Sequence, residues 1–214
     1  MDNGVLYSFE RKNKKYIPKR ETEMKIILAS GSPRRKEILE GLGASFTVVS
    51  ADADESCSLT DPAKYTMELA RRKGQAVWEK LSADMSDAVV ISADTVVATD
   101  SEILGKPADG DDAHRMLSAL SGKEHSVITG IGITVGGITR VDYCETRVRV
   151  SRIPEEEIRK YVASGDPMDK AGAYGIQGEF SKWVEGISGC YFNVVGLPTH
   201  TLNKLFFEIT GEYI

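Results

Sequence analysis

Apolar residues along this chain fall into short continuous runs separated by stretches of helical period, and that alternation predicts an α/β protein. Lys25 to Ala29 reads as a first strand. Ile38, Leu39 and Leu42 then share one helical face, with Ser32 suited to the N-cap, Pro33 to the first helical position and Gly43 to the stop. Phe46 to Val49 is a second strand, and Asp61-Pro62 opens a helix running to about Leu81. Ala88 to Ala98 is almost unbroken in apolar character, the mark of a strand buried on both faces and therefore central. Asp100-Ser101-Glu102 turns the chain into Ile103-Leu104 as a hairpin partner, and a helix from Asp109 to Leu120 closes at Gly122. His125 to Val135 and Ile138 to Val150 are long strands joined at Gly136-Gly137, which makes the sheet mixed. A helix opened by Pro154 and ending near Ser164-Gly165, a strand-like stretch from Tyr191 to Val195 and a helix from Thr199 to about Ile209 complete the set.

Several polar residues break this pattern. Asp94 interrupts the central strand, where a carboxylate is expensive unless paired, hydrogen-bonded or bound to metal. Lys73 lies four residues from both Leu69 and Val77, on the inward stripe of its helix, so it either snorkels outward or meets a negative charge. Arg34, Arg35 and Lys36 crowd the first turn of a helix, where the macrodipole already disfavours cations. A bound anion relieves that cost, and a helix N-terminus with arginine forks suits phosphate; the alternative is a solvated basic helix start. The turn is not a GxxxxGK[ST] loop or a GxGxxG loop. Further on, Gly172, Gly175 and Gly178 allow close backbone approach, while Lys170, Tyr174 and Gln177 supply a cation, a ring and an amide. Those groups suit a nucleotide, or else form a glycine-rich connection with incidental polar residues.

Composition narrows the classes. At 214 residues one domain is expected, and a net charge of −5 argues against nucleic-acid or anionic-membrane partners. No apolar run approaches membrane-spanning length, and no signal peptide's apolar stretch is present. Cys57, Cys144 and Cys190 are isolated and without CxxC spacing, which points to a reducing cytoplasm; His114, His125 and His200 form no metal motif. Residues 1–23 are polar and read as an extension, flexible and outside a folded unit of residues 24–214.

With these residues in hand, the chain closely resembles the Maf family of nucleoside triphosphate pyrophosphatases. The matching stretches are Ala29-Ser30-Gly31-Ser32-Pro33-Arg34-Arg35, Ala70-Arg71-Arg72-Lys73, Ser92 to Val97, Gly105-Lys106-Pro107, Asp169 to Gly178 and Asn193 to Pro198. The resemblance implies a two-lobed fold around a long mixed sheet, similar to inosine triphosphate pyrophosphatases, with the active cleft between the lobes. It also implies release of pyrophosphate from a nucleotide, and the Asp169 to Gly178 segment looks like the branch acting on dTTP and UTP rather than on 7-methyl-GTP. Asp94 falls at the proton acceptor and Arg34, Thr95 and Gln177 at positions tied to base selection. A homodimer is implied as well. Two departures stand out: Val150 where the family often has Phe, and Gly74 where alanine is usual, expected to weaken its helix by about 0.5–1 kcal/mol.

The reaction expected is attack of water on the α-phosphorus. Asp94, Lys73 and Lys106 are the expected catalytic residues; Ser30, Ser32, Arg34, Arg35, Thr95, Lys170, Tyr174 and Gln177 are expected to bind substrate. A divalent cation, Mg²⁺ with Mn²⁺ as second choice, is expected on Glu55 and Asp94, since magnesium takes one or two carboxylates plus phosphates and water. The rival is a nucleotide-responsive regulator of division or stress without turnover, which would not need Asp94.

Overall fold

The computed structural model describes residues 24–50, 52–81, 85 and 87–214, so the extension of residues 1–23 lies outside the described residues. Its centre is a seven-stranded mixed sheet in the order β2-β1-β3-β5-β6-β7, with β4 also paired to β3. The strands are β1 (Ile26–Ala29), β2 (Phe46–Val48), β3 (Val89–Ala98), β4 (Ile103–Leu104), β5 (Glu124–Val135), β6 (Ile138–Val150) and β7 (Val184–Ser188). Among the described residues, only the β1–β2 and β1–β3 pairs are parallel. The β5–β6 hairpin turns at Gly136 and Gly137, both at positive φ (59° and 78°), the conformation a two-residue hairpin of matching twist demands.

The helices are α1 (Pro33–Gly41), α2 (Pro62–Trp78), α3 (Gly110–Leu120), α4 (Glu155–Ala163), α5 (Tyr191–Val195) and α6 (Thr199–Thr210). Leu28, Val89 and Ile91 face α1 and α6 through Ile38, Leu39, Leu202 and Phe206. Ile27 and Val90 face Val77 of α2 on the other side. A separate apolar cluster joins α3 and α4 to Val97, Val127, Val148 and Phe180, and forms the second lobe.

Two features of the sheet position the site. β1 pairs with β3 only as far as Ser92, and β4 takes up the same edge at Val97. Between them, Ala93 to Val96 present an open edge at the carboxyl end of β1, where ligands of parallel sheets bind. The second feature is the seat of α2. Gly130, opposite Asp94 in register, lies directly under the Thr66 backbone, where a Cβ would come within 2.4 Å of the Thr66 carbonyl carbon.

Gly74, expected to weaken its helix, is where α2 meets the sheet. A Cβ there would lie 2.7 Å from Thr134 Oγ1 and 2.9 Å from Ser92 Oγ, and Ser92 Oγ donates to Ala70 O of α2 at 2.7 Å. The glycine therefore lets α2 close onto the sheet; what it costs in helix propensity is offset by contact. Three further assignments change. Helix α2 ends at Trp78 rather than near Leu81. The strand β7 occupies residues to which the sequence pattern assigns no element, and Tyr191 to Val195 is a turn of helix, not a strand. β7 already pairs with β6 at Arg147 to Val150, while both backbone groups of Cys190 bond to the Thr146 hydroxyl (3.0 and 3.1 Å). Buried Asn193 donates to Val127 O and Thr146 Oγ1, so side-chain bonds seat this segment on the sheet instead of a ladder.

Candidate active site

The open edge of β3 lies in a cleft of about 740 Å³ walled by the turn before α1, the glycine-rich segment, Glu55, Lys73, Lys106 and Val194 to Gly196. Its size suits a nucleotide. Because successive strand residues point to opposite faces, Asp94 turns toward α2 and Thr95 toward α1, and the open edge lets both line the same cleft.

Lys73 is the hub on the α2 side. Its Nζ lies 2.6 Å from Asp94 Oδ1 and 2.8 Å from Glu55 Oε1, so the inward lysine meets two carboxylates. Asp94 is 8% exposed, while Glu55 comes from the exposed loop before α2. The hydrogen bond from Lys73 holds the Glu55 carboxyl below the usual carboxylate range, against its partial burial. Asp94 Oδ2 and Glu55 Oε2 make no hydrogen bond among the described residues. Two carboxylates gathered on one lysine in the cleft lining, each with an oxygen that makes no hydrogen bond among the described residues, fit a divalent cation that completes its shell with substrate and water. No group of three or more acidic, histidine or cysteine residues does so among the described residues.

On the α1 side Arg35 is held by the protein itself. Nε donates to Gly196 O (2.8 Å), Nη1 to Ala93 O (2.8 Å) and Ser30 Oγ (3.1 Å), and Nη2 to Thr95 Oγ1 (3.0 Å). Burial lowers its pKa from the ordinary arginine value, with Asp94 pulling the other way. With four of five N–H donors used, Arg35 binds the open strand edge to the turn and leaves little for phosphate. Thr95 is correspondingly fixed between Arg35 and Thr129 Oγ1 (3.0 Å). Ser32 occupies the N-cap position without a side-chain capping bond, and the N–H groups of Arg34 and Arg35 have no partner among the described residues. Those amides face anions well.

Arg34 reaches across the cleft, donating to Asp169 Oδ2 (3.0 Å) and Asp169 O (3.3 Å). Lys170 Nζ holds the same carboxylate through Asp169 Oδ1 (2.8 Å) and also pairs with a second one, Asp166 Oδ1 (3.0 Å). Burial pushes the Asp169 carboxyl up, but Lys170 and Arg34 outweigh it and leave it below the usual range. Lys106 is exposed in the cleft and makes no ion pair among the described residues. Gln177, also exposed there, has a side-chain amide with no hydrogen bond among the described residues.

A model of the family described as Maf-like protein matches residues 25–209. The chain belongs to the Maf-like family. A protein of Agathobacter rectalis named dTTP/UTP pyrophosphatase is 49% identical over 191 residues, covering 83% of this chain and 93% of its own. Proteins of the same name from Chromobacterium violaceum and Thermococcus kodakarensis are each 46% identical, covering 89% and 84% of this chain and 97% and 94% of theirs.

In this Maf-like chain one expected ligand group is placed otherwise. Tyr174 touches the cleft wall, but its ring is buried against Phe180 (centroids 4.6 Å apart) and its hydroxyl lies 2.7 Å from His125 Nε2. It is a core residue that anchors the glycine segment, because a buried phenol requires a partner and His125 provides one. In the sequence His125 is one of three scattered histidines; its partner is distant in sequence and no local signal marks it. Burial pushes the His125 imidazole down to about 4. Its folded pKa lies below the ordinary value near 6.5, so the unfolded chain protonates first as pH falls. Stability present above about pH 6.5 is therefore lost toward pH 4, at roughly 1.4 kcal/mol per unit within that window. His125→Gln, which can still meet the Tyr174 hydroxyl, is expected to flatten urea-derived stability between pH 6.5 and 5; an unchanged slope would assign the acid sensitivity elsewhere.

Proposed function

We propose that this chain hydrolyses dTTP and UTP between the α- and β-phosphates, giving the monophosphate and pyrophosphate. One observation carries the reading: Lys73 binds Asp94 and Glu55 together at the open strand edge, in the same cleft as a helix N-terminus whose amides have no partner among the described residues. The names of relatives 46–49% identical to it support the reaction and the bases.

Asp94 Oδ1 is fixed by Lys73, which leaves Oδ2 to accept a proton from the attacking water. Lys106 and the α1 amides take the phosphate charge, and Arg34 and Lys170 add to it once the nucleotide competes with Asp169. Glu55 and Asp94 would hold Mg²⁺, or Mn²⁺ in its place, which when bound supplies charge neutralisation at the phosphates. Gln177 offers both a donor and an acceptor to a uracil or thymine edge, with Arg34 and Thr95 lining the same cleft. A homodimer in the cytoplasm is part of the same reading. No described helix is long and apolar enough to cross a membrane.

A panel of dTTP, UTP, CTP, GTP, ATP and 7-methyl-GTP with Mg²⁺, scored for monophosphate and pyrophosphate, tests the reading. Turnover of dTTP and UTP is expected; turnover confined to 7-methyl-GTP would overturn the base assignment, and tight binding without turnover would favour a regulator. Gln177→Ala is expected to reduce the preference for dTTP over CTP about tenfold or more through KM, with a smaller fall in kcat. Equal losses for every base would remove Gln177 from base selection.

A further inference from the structure

The loop that carries Glu55 is irregular and exposed between β2 and α2, yet Glu55 meets Lys73 at 2.8 Å. Something must hold it. Arg72, the neighbour of Lys73 on α2, donates through Nη1 to Ser56 O (2.6 Å) and Asp54 O (3.1 Å), the carbonyls on either side of Glu55. Asp54 Oδ1 accepts from the Ser56 N–H at 2.9 Å, closing a tight turn with Glu55 at its tip. The far side of the guanidinium is fixed as well: Arg72 Nε donates to Glu68 Oε1 at 2.8 Å. Hydrogen bonds from Arg71 and then Arg72 hold the Glu68 carboxyl down to about 2. Arg72 does not line the cleft.

We propose that Arg72 is a positioning residue: its planar fork clamps the Asp54–Ser56 turn so that Glu55 is delivered beside Lys73 and Asp94 as a cation ligand. The inference rests on the reading of Glu55 and Asp94 given above. A guanidinium is the suitable group, because one rigid plane spans a carboxylate on one edge and two carbonyls on the other. Arg71 is the internal control. It shares Glu68 through Nε (2.8 Å) and Nη2 (2.6 Å) but touches neither loop carbonyl.

The test compares Arg72→Met, Arg71→Met, Glu55→Gln and the Arg72→Met/Glu55→Gln pair in the full-length chain. Amide hydrogen exchange over residues 52–60 is expected to quicken about tenfold or more in Arg72→Met and to stay at the parent rate in Arg71→Met. The Mg²⁺ concentration giving half-maximal dTTP turnover is expected to rise about 10–100-fold in Arg72→Met, with kcat at saturating Mg²⁺ within a few-fold of the parent. The paired variant should match Glu55→Gln alone, since the clamp acts through that carboxylate. Unchanged loop exchange, an equal effect from Arg71→Met, or additive losses in the pair would each overturn the proposal. If the parent turns over no nucleotide, the catalytic reading falls, and the exchange comparison still decides whether Arg72 holds the loop.

Discussion

Asp94→Asn is expected to lower pyrophosphate release from dTTP about a thousandfold, in the range that loss of a positioned proton acceptor produces. Nucleotide affinity should change far less, because the α1 amides, Lys106 and Gln177 are untouched. The substitution is close to isosteric, and its amide oxygen can still accept from Lys73, which keeps Glu55 as an ionic partner. Folding should therefore survive, and thermal unfolding run beside the kinetics separates a chemical loss from a structural one. Turnover within tenfold of the parent would show that the proton goes elsewhere.

The largest effect on the fold is expected at Gly130. A side chain there points into the Thr66 carbonyl and the Met67 amide, with nothing flexible to yield. Gly130→Val should cost about 3 kcal/mol or more, at the upper end of overpacking penalties, and lower Tm by roughly 6–12 °C for a chain of this size. Because Gly130 pairs with Asp94 and supports the helix bearing Lys73, the damage should extend to activity. A displacement of about 1 Å in such a constellation can remove on the order of a hundredfold of rate. Tm and kcat measured on the same preparation check both consequences, and a Tm within 2 °C of the parent, on the order of the shift that 1 kcal/mol produces, would show that α2 can lift at no cost.

The glycine positions at the two ends of the site illustrate how little of this is local. At Gly172 (φ 64°) a Cβ would meet Val97 at 2.6 Å, and the residue after it, Ala173, also has positive φ (61°). The sequence pattern marks this segment as backbone that can approach a ligand closely, or else as a glycine-rich connection. It does not show that the segment is pressed against β3 and tied to Gly105 by the Gly172 N–H at 2.9 Å.

The sequence by itself determined the elements whose causes are local. Asp61 and Asp109 cap the helices they precede, the Gly136-Gly137 pair makes its hairpin, and the apolar run around Asp94 makes the central strand. It also located the cleft residues, since a buried carboxylate, an inward lysine and a basic helix start each violate the pattern of their own element. The tertiary structure alone decided what those residues meet. Lys73 turned inward to two carboxylates because α2 sits on glycines, at a height set by backbone contact with β5. Arg35 became a tie between turn and strand edge because β1 stops short of β4 and leaves the Ala93 carbonyl open. Tyr174 went into the core because a histidine 49 residues away supplied a buried partner, and Tyr191 to Val195 is seated by side-chain bonds of Thr146 and Asn193 rather than by a strand ladder. Each outcome is a competition between distant groups for one donor, one edge or one cavity, and chain order does not encode which of them arrives.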